Sequence, residues 1–343
     1  MDIACTQCGL PYPEKGAPHV CLNCGGLFDS TPRASARAQS GWPVSDALSL
    51  GEGQTPLVRT KVFGRNVWFK CEFTNPTGSF KDRGTAALMS FLVARGVTEA
   101  VEDSSGNAGA SFAAYAARAG IRAKVFVPST ASGPKRAQIQ AYGAELVTVE
   151  GPRANASLAA QKATELGAVY ASHAHMPFNL AGYATIAYEI VEQLGRMPSA
   201  LIVPAGQGGL LLGAWRGFLS LQPPRARTEA PVIVGVQAEA CSPLVKDERG
   251  KMKDEGRTVA EGVRVANPLR GEVVRQAVKE SGGQWIAVPE DAIMAGRDAL
   301  ARQGLYVEPT SGLVWHALEQ ALGELPDPVV VVLTGSGLKF QNS

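Results

Sequence analysis

Short apolar runs alternate with longer helix-like segments along most of the chain from about residue 55 onward. The apolar runs predict strands, and the segments between them predict helices of about ten or more residues. This alternation is typical of α/β proteins whose parallel sheets are covered by helices on both faces. The predicted strands are Val67–Cys71, Ala123–Val127, Glu145–Val149, Ala200–Val203, Val232–Gln237 and Val329–Leu333. The predicted helices are Asp82–Arg95, Ala108–Ala119, Pro134–Tyr142, Ala156–Glu165, Leu180–Leu194, Leu210–Leu221, Asp291–Arg302 and Ser311–Leu322.

Four of the six cysteines lie in the first 24 residues, as two Cys-x-x-Cys pairs separated by twelve residues. In a reducing compartment this spacing favours a tetrahedral zinc site, and two disulfides or a metal-free ribbon are the alternatives. A site filled by four thiolates has no open position, so we expect a structural role. The predicted ligands are Cys5, Cys8, Cys21 and Cys24. The next segment, Asp29–Ser49, is polar and aperiodic and predicts a linker or a wrapping arm.

Composition narrows the function classes. The 343 residues allow two α/β lobes with a small appendage, and a net charge of +2 gives no reason to expect nucleic acid or an anionic membrane as a partner. No apolar run approaches the length of a membrane span, and the N-terminus lacks the features of a signal peptide. We therefore expect a cytoplasmic protein without membrane partners.

Four strand-to-helix or post-strand turns are rich in glycine and in hydroxyl and amide side chains. Ligands of open parallel sheets bind at such turns, since helix N-termini present free N–H groups there. Lys81 directly precedes the predicted helix Asp82–Arg95, where the helix dipole disfavours a charged ammonium and favours the neutral, nucleophilic amine; an ordinary solvated lysine is the alternative. The turns are Asn75–Arg83, Ser104–Gly109, Ala205–Leu210 and Thr334–Gly337.

The second and third turns indicate two anion sites. Ser104–Gly109 offers hydroxyls and successive N–H groups for a carboxylate, although a simple helix cap is the alternative. Ala205–Leu210 predicts a phosphate site, but it completes neither G-x-G-x-x-G nor a P-loop, which disfavours a dinucleotide or a nucleoside triphosphate. One lysine, one phosphate site and one carboxylate site together indicate pyridoxal phosphate (PLP) with an amino-acid substrate.

These turns resemble motifs of the threonine synthase family. Asn75–Gly84 resembles the family's lysine motif, Ser104–Gly109 its substrate-carboxylate loop and Val203–Leu210 its PLP-phosphate loop. Thr334–Lys339 resembles the signature Thr-Gly-His-Gly-Leu-Lys. Two further segments match in order, and the cysteine ribbon is itself common in that family. The further segments are Gly235–Glu239 and Val263–Pro268.

The resemblance implies PLP fold type II: two doubly wound α/β domains with an N-terminal zinc-ribbon-like segment. It implies a ribbon over 1–28, a large domain over 29–85 and 180–343, and a small domain over 86–179, with the active site between the two domains. Lys81 would carry PLP as a Schiff base and move protons, Asn107 would bond the ring hydroxyl, and Thr334 would meet the pyridine nitrogen. The implied phosphate ligands are Gly206, Gln207, Gly208, Gly209 and Leu210. The implied substrate ligands are Ser104, Ser105, Gly106 and Asn107.

A neutral threonine beside the pyridine nitrogen implies elimination or replacement at Cβ or Cγ rather than transamination. The family activity is threonine synthesis from O-phosphohomoserine, but the residues that grip the substrate phosphate are altered here. Ala108 replaces a threonine, His173-Ala174 replaces Asn-Ser, and Asn179 replaces an arginine. Tyr183-Ala184 replaces Gln-Lys, and Gly208–Leu211 resembles threonine dehydratase equally well.

We therefore predict that phosphohomoserine is not the preferred substrate. His173 and His175 are predicted to line the substrate site, either protonated as substitute phosphate donors or as neutral pocket residues. The alternatives are a threonine or serine dehydratase, a β-replacement enzyme acting on a serine derivative, or more remotely a non-catalytic binding protein. We expect a small amino acid as the ligand and a homodimer as the assembly.

Overall fold

The computed structural model describes residues 2–31, 48–129, 133–222, 230–245 and 256–340. The chain divides into two compact units. The first holds the described residues of Met1–Glu52 and Lys81–Gly182, and the second those of Gly53–Phe80 and Tyr183–Asn342. This division into units does not test the domain boundaries expected from the sequence, which stay a prediction.

The second unit is built on a six-stranded sheet whose order is β11-β10-β9-β12-β4-β3. All neighbouring pairs are parallel except β3 with β4, which form an antiparallel hairpin at the edge. The central strand β12 has the sequence Val-Val-Val-Val-Leu and is wholly buried, as expected for a parallel strand covered on both faces. The strands are β3 (Leu57–Val62), β4 (Arg65–Cys71), β9 (Ala200–Pro204), β10 (Val232–Ala238), β11 (Gln284–Val288) and β12 (Val329–Leu333).

Among the described residues, four α-helices lie wholly in the second unit, and a fifth, α5 (Phe178–Leu194), contains the point where the chain passes from one unit to the other. The buried face of α9 shares one apolar cluster with β4, β9, β10 and β12. Because β9 and β12 are adjacent and parallel, the turns that follow them lie at the same edge of the sheet. The four helices are α6 (Gly209–Ser220), α7 (Gly271–Glu280), α8 (Glu290–Arg302) and α9 (Pro309–Ala321).

The first unit carries a four-stranded, all-parallel sheet in the order β7-β6-β5-β8. The strands are β5 (Glu99–Glu102), β6 (Arg122–Pro128), β7 (Glu145–Val149) and β8 (Val169–Tyr170). The helices are α1 (Lys81–Ala94), α2 (Asn107–Ala119), α3 (Pro134–Ala141) and α4 (Arg153–Lys162). The N-terminal segment adds an antiparallel ribbon of β1 (Asp2–Cys5) and β2 (Phe28–Thr31). Tyr12 of that segment packs edge-on against Phe91 and Phe178.

The structure confirms the predicted α/β class and corrects several details. Each predicted strand and helix is present within a few residues of its expected bounds. The expectation of wholly parallel sheets is wrong at β3, which pairs antiparallel. The predicted linker 29–49 is wrong at residues 29–31, which belong to β2, and its residues 32–47 lie outside the described part of the chain. Within the described ranges, no helix combines the length and apolar character that crossing a membrane requires.

Candidate active site

Lys81 is the first residue of α1 and is partly exposed. The turn before it is fixed by hydrogen bonds inside the second unit: the Phe80 N–H donates to the Thr334 carbonyl at 3.0 Å. The Lys339 ammonium donates to the Thr77 carbonyl at 2.7 Å. Gly78 has a φ of +84°, and an added Cβ would lie 3.0 Å from Lys339. The lysine therefore follows a turn whose shape depends on a glycine and on the buried Lys339.

The turn between β5 and α2 presents the predicted carboxylate site. Ser104 is buried, and its hydroxyl accepts a hydrogen bond from the Gly106 N–H at 3.2 Å. Asn107 is the first residue of the 13-residue helix α2. A Cβ at Gly109 would lie 1.8 Å from the Ser104 carbonyl, so only glycine lets the helix pack this closely under the turn. The N-terminus of a helix favours an anion, because its first N–H groups have no acceptor within the helix.

A buried acidic group lies beside this turn. Glu102 ends β5, and its Oε1 is 2.6 Å from Nδ1 of His173, which follows the neighbouring strand β8. Burial raises the pKa of the Glu102 carboxyl. Burial lowers the pKa of His173 well below its ordinary value, and the nearby Lys81 charge lowers it further. Of the two states that the sequence left open for His173, the structure therefore favours the neutral imidazole.

His175 lies two residues further and has different partners. Its Nδ1 is 3.0 Å from the Ser172 hydroxyl, and its ring packs against Tyr170 and against His19 of the ribbon. The structure thus places a ribbon residue beside one of the two predicted substrate histidines.

The predicted phosphate loop follows β9 and opens α6. Gly208 has a φ of +77°, and a Cβ there would lie 2.6 Å from Val274. A Cβ at Gly206 would lie 2.8 Å from the Gly262 carbonyl, so neither position has room for a side chain. The Gln207 Oε1 accepts from the Leu269 N–H at 3.0 Å, which holds the loop in place. Gly209 and Leu210 begin α6, whose first N–H groups have no acceptor within the helix. This arrangement fits a phosphate group.

Thr334 follows β12 and belongs to a two-hydroxyl pair with Ser311 of α9. The Ser311 Oγ accepts from the Thr334 N–H at 2.8 Å and from the Gly335 N–H at 3.3 Å, and it lies 3.0 Å from the Thr334 Oγ1. Since two N–H groups occupy both acceptor positions of Ser311, its own proton is donated to Thr334. The Thr334 hydroxyl can then donate its own proton to a further group.

The ribbon cysteines form the metal-type cluster found among the described residues. The four sulfur atoms lie within 4.8 Å of one another, and no disulfide joins them. The S–S distances are 3.4 Å for Cys5 with Cys24 and 3.7 Å for Cys8 with Cys21. The Leu10 N–H and the Cys24 thiol lower the pKa of Cys8 to about 6. A tetrahedron with zinc–sulfur bonds of about 2.3 Å has edges of about 3.8 Å, which these distances match.

The sequence missed two residues that the structure adds to these sites, Glu102 and Ser311. Glu102 ends β5 just before a predicted turn, whereas Ser311 lies at the start of α9, 23 residues before Thr334. The strand-end position of Glu102 is the one signal in the sequence. Within the first unit, the structure brings His173 within electrostatic reach of Lys81. Within the second, the phosphate loop and Thr334 follow adjacent strands.

Known proteins with similar sequences support a PLP site. Residues 48–335 match the family described as pyridoxal-phosphate dependent enzymes. The threonine synthase of Methanocaldococcus jannaschii is 33% identical, and the match covers 98% of this chain and 92% of that protein. The threonine synthase of Halalkalibacterium halodurans is 34% identical over 86% of this chain and 85% of that protein.

Solved structures of similar fold support the same assignment. A threonine deaminase from T.th. superposes with a TM-score of 0.73 at 27% identity, over 84% of this chain and 94% of that one. Maize serine racemase gives a TM-score of 0.74 at 22% identity, over 82% of this chain and 88% of that one, and shows the fold alone. The fold is PLP fold type II with an N-terminal four-cysteine cluster. The chain therefore belongs to the pyridoxal-phosphate dependent enzymes, within the threonine synthase family.

Proposed function

We propose that the protein catalyses PLP-dependent elimination or replacement at Cβ or Cγ of a small L-amino acid. The observation that carries this reaction class is the Ser311–Thr334 pair, in which Ser311 holds the neutral Thr334 hydroxyl at the end of β12. A neutral donor leaves a bound pyridine ring less electron-withdrawing than a carboxylate partner would. The site therefore suits a reaction in which a leaving group departs from the substrate better than one in which the amino group is transferred.

The residues present fit PLP. The glycine turn Gly206–Gly209 with Leu210 would hold the phosphate through backbone N–H groups, and Thr334 would donate to the ring nitrogen. Lys81 would carry the cofactor and move the proton at the substrate's Cα. Asn107 would bond the ring hydroxyl, and the turn Ser104–Gly106 with Asn107 would hold the substrate carboxylate. When bound, PLP withdraws electrons from Cα and so weakens the bonds around it.

The substrate proposed is serine, threonine or a modified serine, with a dehydratase reaction as the favoured form. The supporting observation is the contact between His173 and the buried Glu102, at the position where the resemblance implies the phosphate-gripping residues of the family. Burial lowers the pKa of His173 and so favours its neutral form. A dianionic phosphate normally requires arginine or several charge-assisted donors, each worth about 1.5–3 kcal/mol. Asn179 supplies neither. The second candidate is threonine synthesis from phosphohomoserine, which the similarity to two threonine synthases favours.

The two candidates are separated by kinetics on the purified enzyme. We expect 2-oxoacid and ammonia from L-serine or L-threonine with a higher kcat/KM than phosphate release from phosphohomoserine. The measurement compares 2-oxoacid, ammonia, inorganic phosphate and threonine under one set of conditions. A higher kcat/KM for phosphohomoserine would show the substrate proposal to be wrong. In that case His173→Ala should raise the KM for phosphohomoserine, because a phosphate donor is lost.

We also propose that Cys5, Cys8, Cys21 and Cys24 hold one structural zinc ion. The ribbon's own buried cluster is small, Cys5, Cys21 and Phe28, so a metal would contribute much of its stability.

Elemental analysis should therefore find about one zinc per chain. Cys8→Ser combined with Cys24→Ser should lower the zinc content and the thermal midpoint while leaving the cofactor's visible absorption unchanged. Cys241→Ser is the matched control, since this buried cysteine lies outside the cluster, and it should keep the zinc. Metal-free protein prepared without chelator, with the four cysteines oxidised in pairs, would support disulfides instead.

A further inference from the structure

Glu102 and His173 meet because their strands are neighbours. The parallel strands β5 and β8 pair Ala100 with Val169 and Val101 with Tyr170. Glu102 is the next residue after Val101, and His173 lies three residues after Tyr170. The Glu102 side chain is 1% exposed, whereas the His173 side chain is 15% exposed. Since the Nδ1 atom of His173 is bonded to the buried carboxyl, the open end of the pair is the imidazole edge that carries Nε2.

The charged and titratable groups around Glu102 and His173 determine which ligand groups can lie beside this pair. Lys81 of α1 and Arg153 of α4 face both groups as cations. Asp103, hydrogen-bonded to Ser157, is a second buried carboxyl, whose pKa is raised by burial and by Glu102. The phenol of Tyr170 faces both carboxyls. Two adjacent carboxyls already share this pocket, so a further anion beside them is unfavourable. A neutral hydroxyl, which both donates and accepts hydrogen bonds, suits the open nitrogen better than a phosphate does.

We propose that Glu102 and His173 act as one proton-exchanging pair, in which His173 is a catalytic residue that protonates the leaving hydroxyl group of the substrate and Glu102 positions it. This inference rests on the proposed function and adds the source of the leaving group's proton. In the donating state the Glu102 carboxyl keeps the bridging proton and Nδ1 accepts it, so the neutral His173 carries its own proton at Nε2. When Nε2 gives up that proton, the bridging proton moves to Nδ1, and the pair changes by a single charge.

All protons are accounted for when serine is the substrate of the proposed elimination. The bond between Cβ and the hydroxyl oxygen breaks, and the oxygen keeps the electron pair. That oxygen takes the proton of His173 Nε2 and leaves as water. The Cα proton passes to the Lys81 amine, and the electron pair of the Cα–H bond forms the double bond between Cα and Cβ. The unsaturated amino acid that remains reacts with water to give the 2-oxoacid and ammonia. Lys81 then releases its proton to solvent, and solvent returns a proton to the Glu102–His173 pair.

Substrates with different leaving groups test this role. In Glu102→Gln, the amide keeps the size of the side chain but cannot exchange a proton. We expect turnover of L-serine to fall about 10²-fold or more. Turnover of β-chloro-L-alanine should stay within about threefold, because chloride leaves without a proton. The matched control is Glu99→Gln on the same strand, an ion-paired surface residue, which should leave both rates within about twofold. Equal losses for both substrates, or no loss for either, would overturn the proposal.

Histidine NMR supplies a measurement that does not depend on turnover. The chain has four histidines, so His173→Gln assigns the His173 signals by their disappearance. The short contact predicts a bridging proton between Glu102 and His173 Nδ1 that resonates far downfield in the wild type, and its loss in Glu102→Gln. A spectrum without that proton, or one that keeps it in the variant, would refute the pair. A wild type that converts neither substrate would count against the proposed function, and the spectrum would still decide whether the pair exists.

Discussion

Lys81→Ala protein is expected to purify without the visible absorption band of bound PLP and to lose turnover by at least about 10⁴-fold. The variant removes both the amine that would carry the cofactor and the group that would move the Cα proton, and proton transfer alone is worth about 10²–10⁴-fold. Absorption spectra after incubation with PLP, and 2-oxoacid formation from L-serine or β-chloro-L-alanine, measure the two losses.

The matched control is Lys135→Ala, which removes a lysine from the first turn of another helix, α3. Its spectrum and turnover should stay within about twofold of the wild type. Borohydride reduction followed by peptide mass spectrometry should place the cofactor on the peptide that contains Lys81. A cofactor fixed to a different lysine, or an unchanged band in Lys81→Ala, would contradict the assignment of this residue.

Much of the fold could be predicted because its central strands and helices carry strong local patterns. β12 is a run of four valines and a leucine, and β7 and β12 have the predicted bounds. Among the elements that were missed, β3 carries Arg59 and Lys61 at the sheet edge and β8 has two residues, so their local patterns are weak. The helix α7 was missed although its buried residues Val274, Ala277 and Val278 lie on one face. Their existence depends on pairing or packing with distant parts of the chain.

The candidate site also has parts that the sequence predicts and parts that it does not. The glycine and hydroxyl turns are local, because each lies within ten residues at the end of one strand, so the sequence predicts them. Glu102 and His173 are separated by 71 residues, and Ser311 and Thr334 by 23. No local sequence pattern predicts that the two members of either pair meet. The protonation of His173 depends on this partner and on burial, which explains why the sequence left both states open.

A buried ion pair supports the segment that leads to the lysine turn. The Lys70 ammonium at the end of β4 is fully buried and donates to Glu189 of α5 at 2.8 Å, to the Thr55 carbonyl at 2.7 Å and to Gln193 at 2.9 Å. Glu189 also accepts from the Gln54 N–H. These bonds tie β4 and the residues before β3 to the second-unit part of α5.

Lys70→Met is therefore expected to lower the free energy of unfolding by about 3–5 kcal/mol, because it leaves the Glu189 carboxylate buried without its cation. Urea unfolding followed by tryptophan fluorescence measures the loss. The double variant Lys70→Met, Glu189→Leu should recover part of it, since an apolar pair of similar size leaves no unpaired charge. Arg122→Ala breaks the exposed pair with Glu99 and should cost no more than about 1 kcal/mol. A Lys70→Met protein as stable as Arg122→Ala would mean that the buried pair contributes little to the second unit.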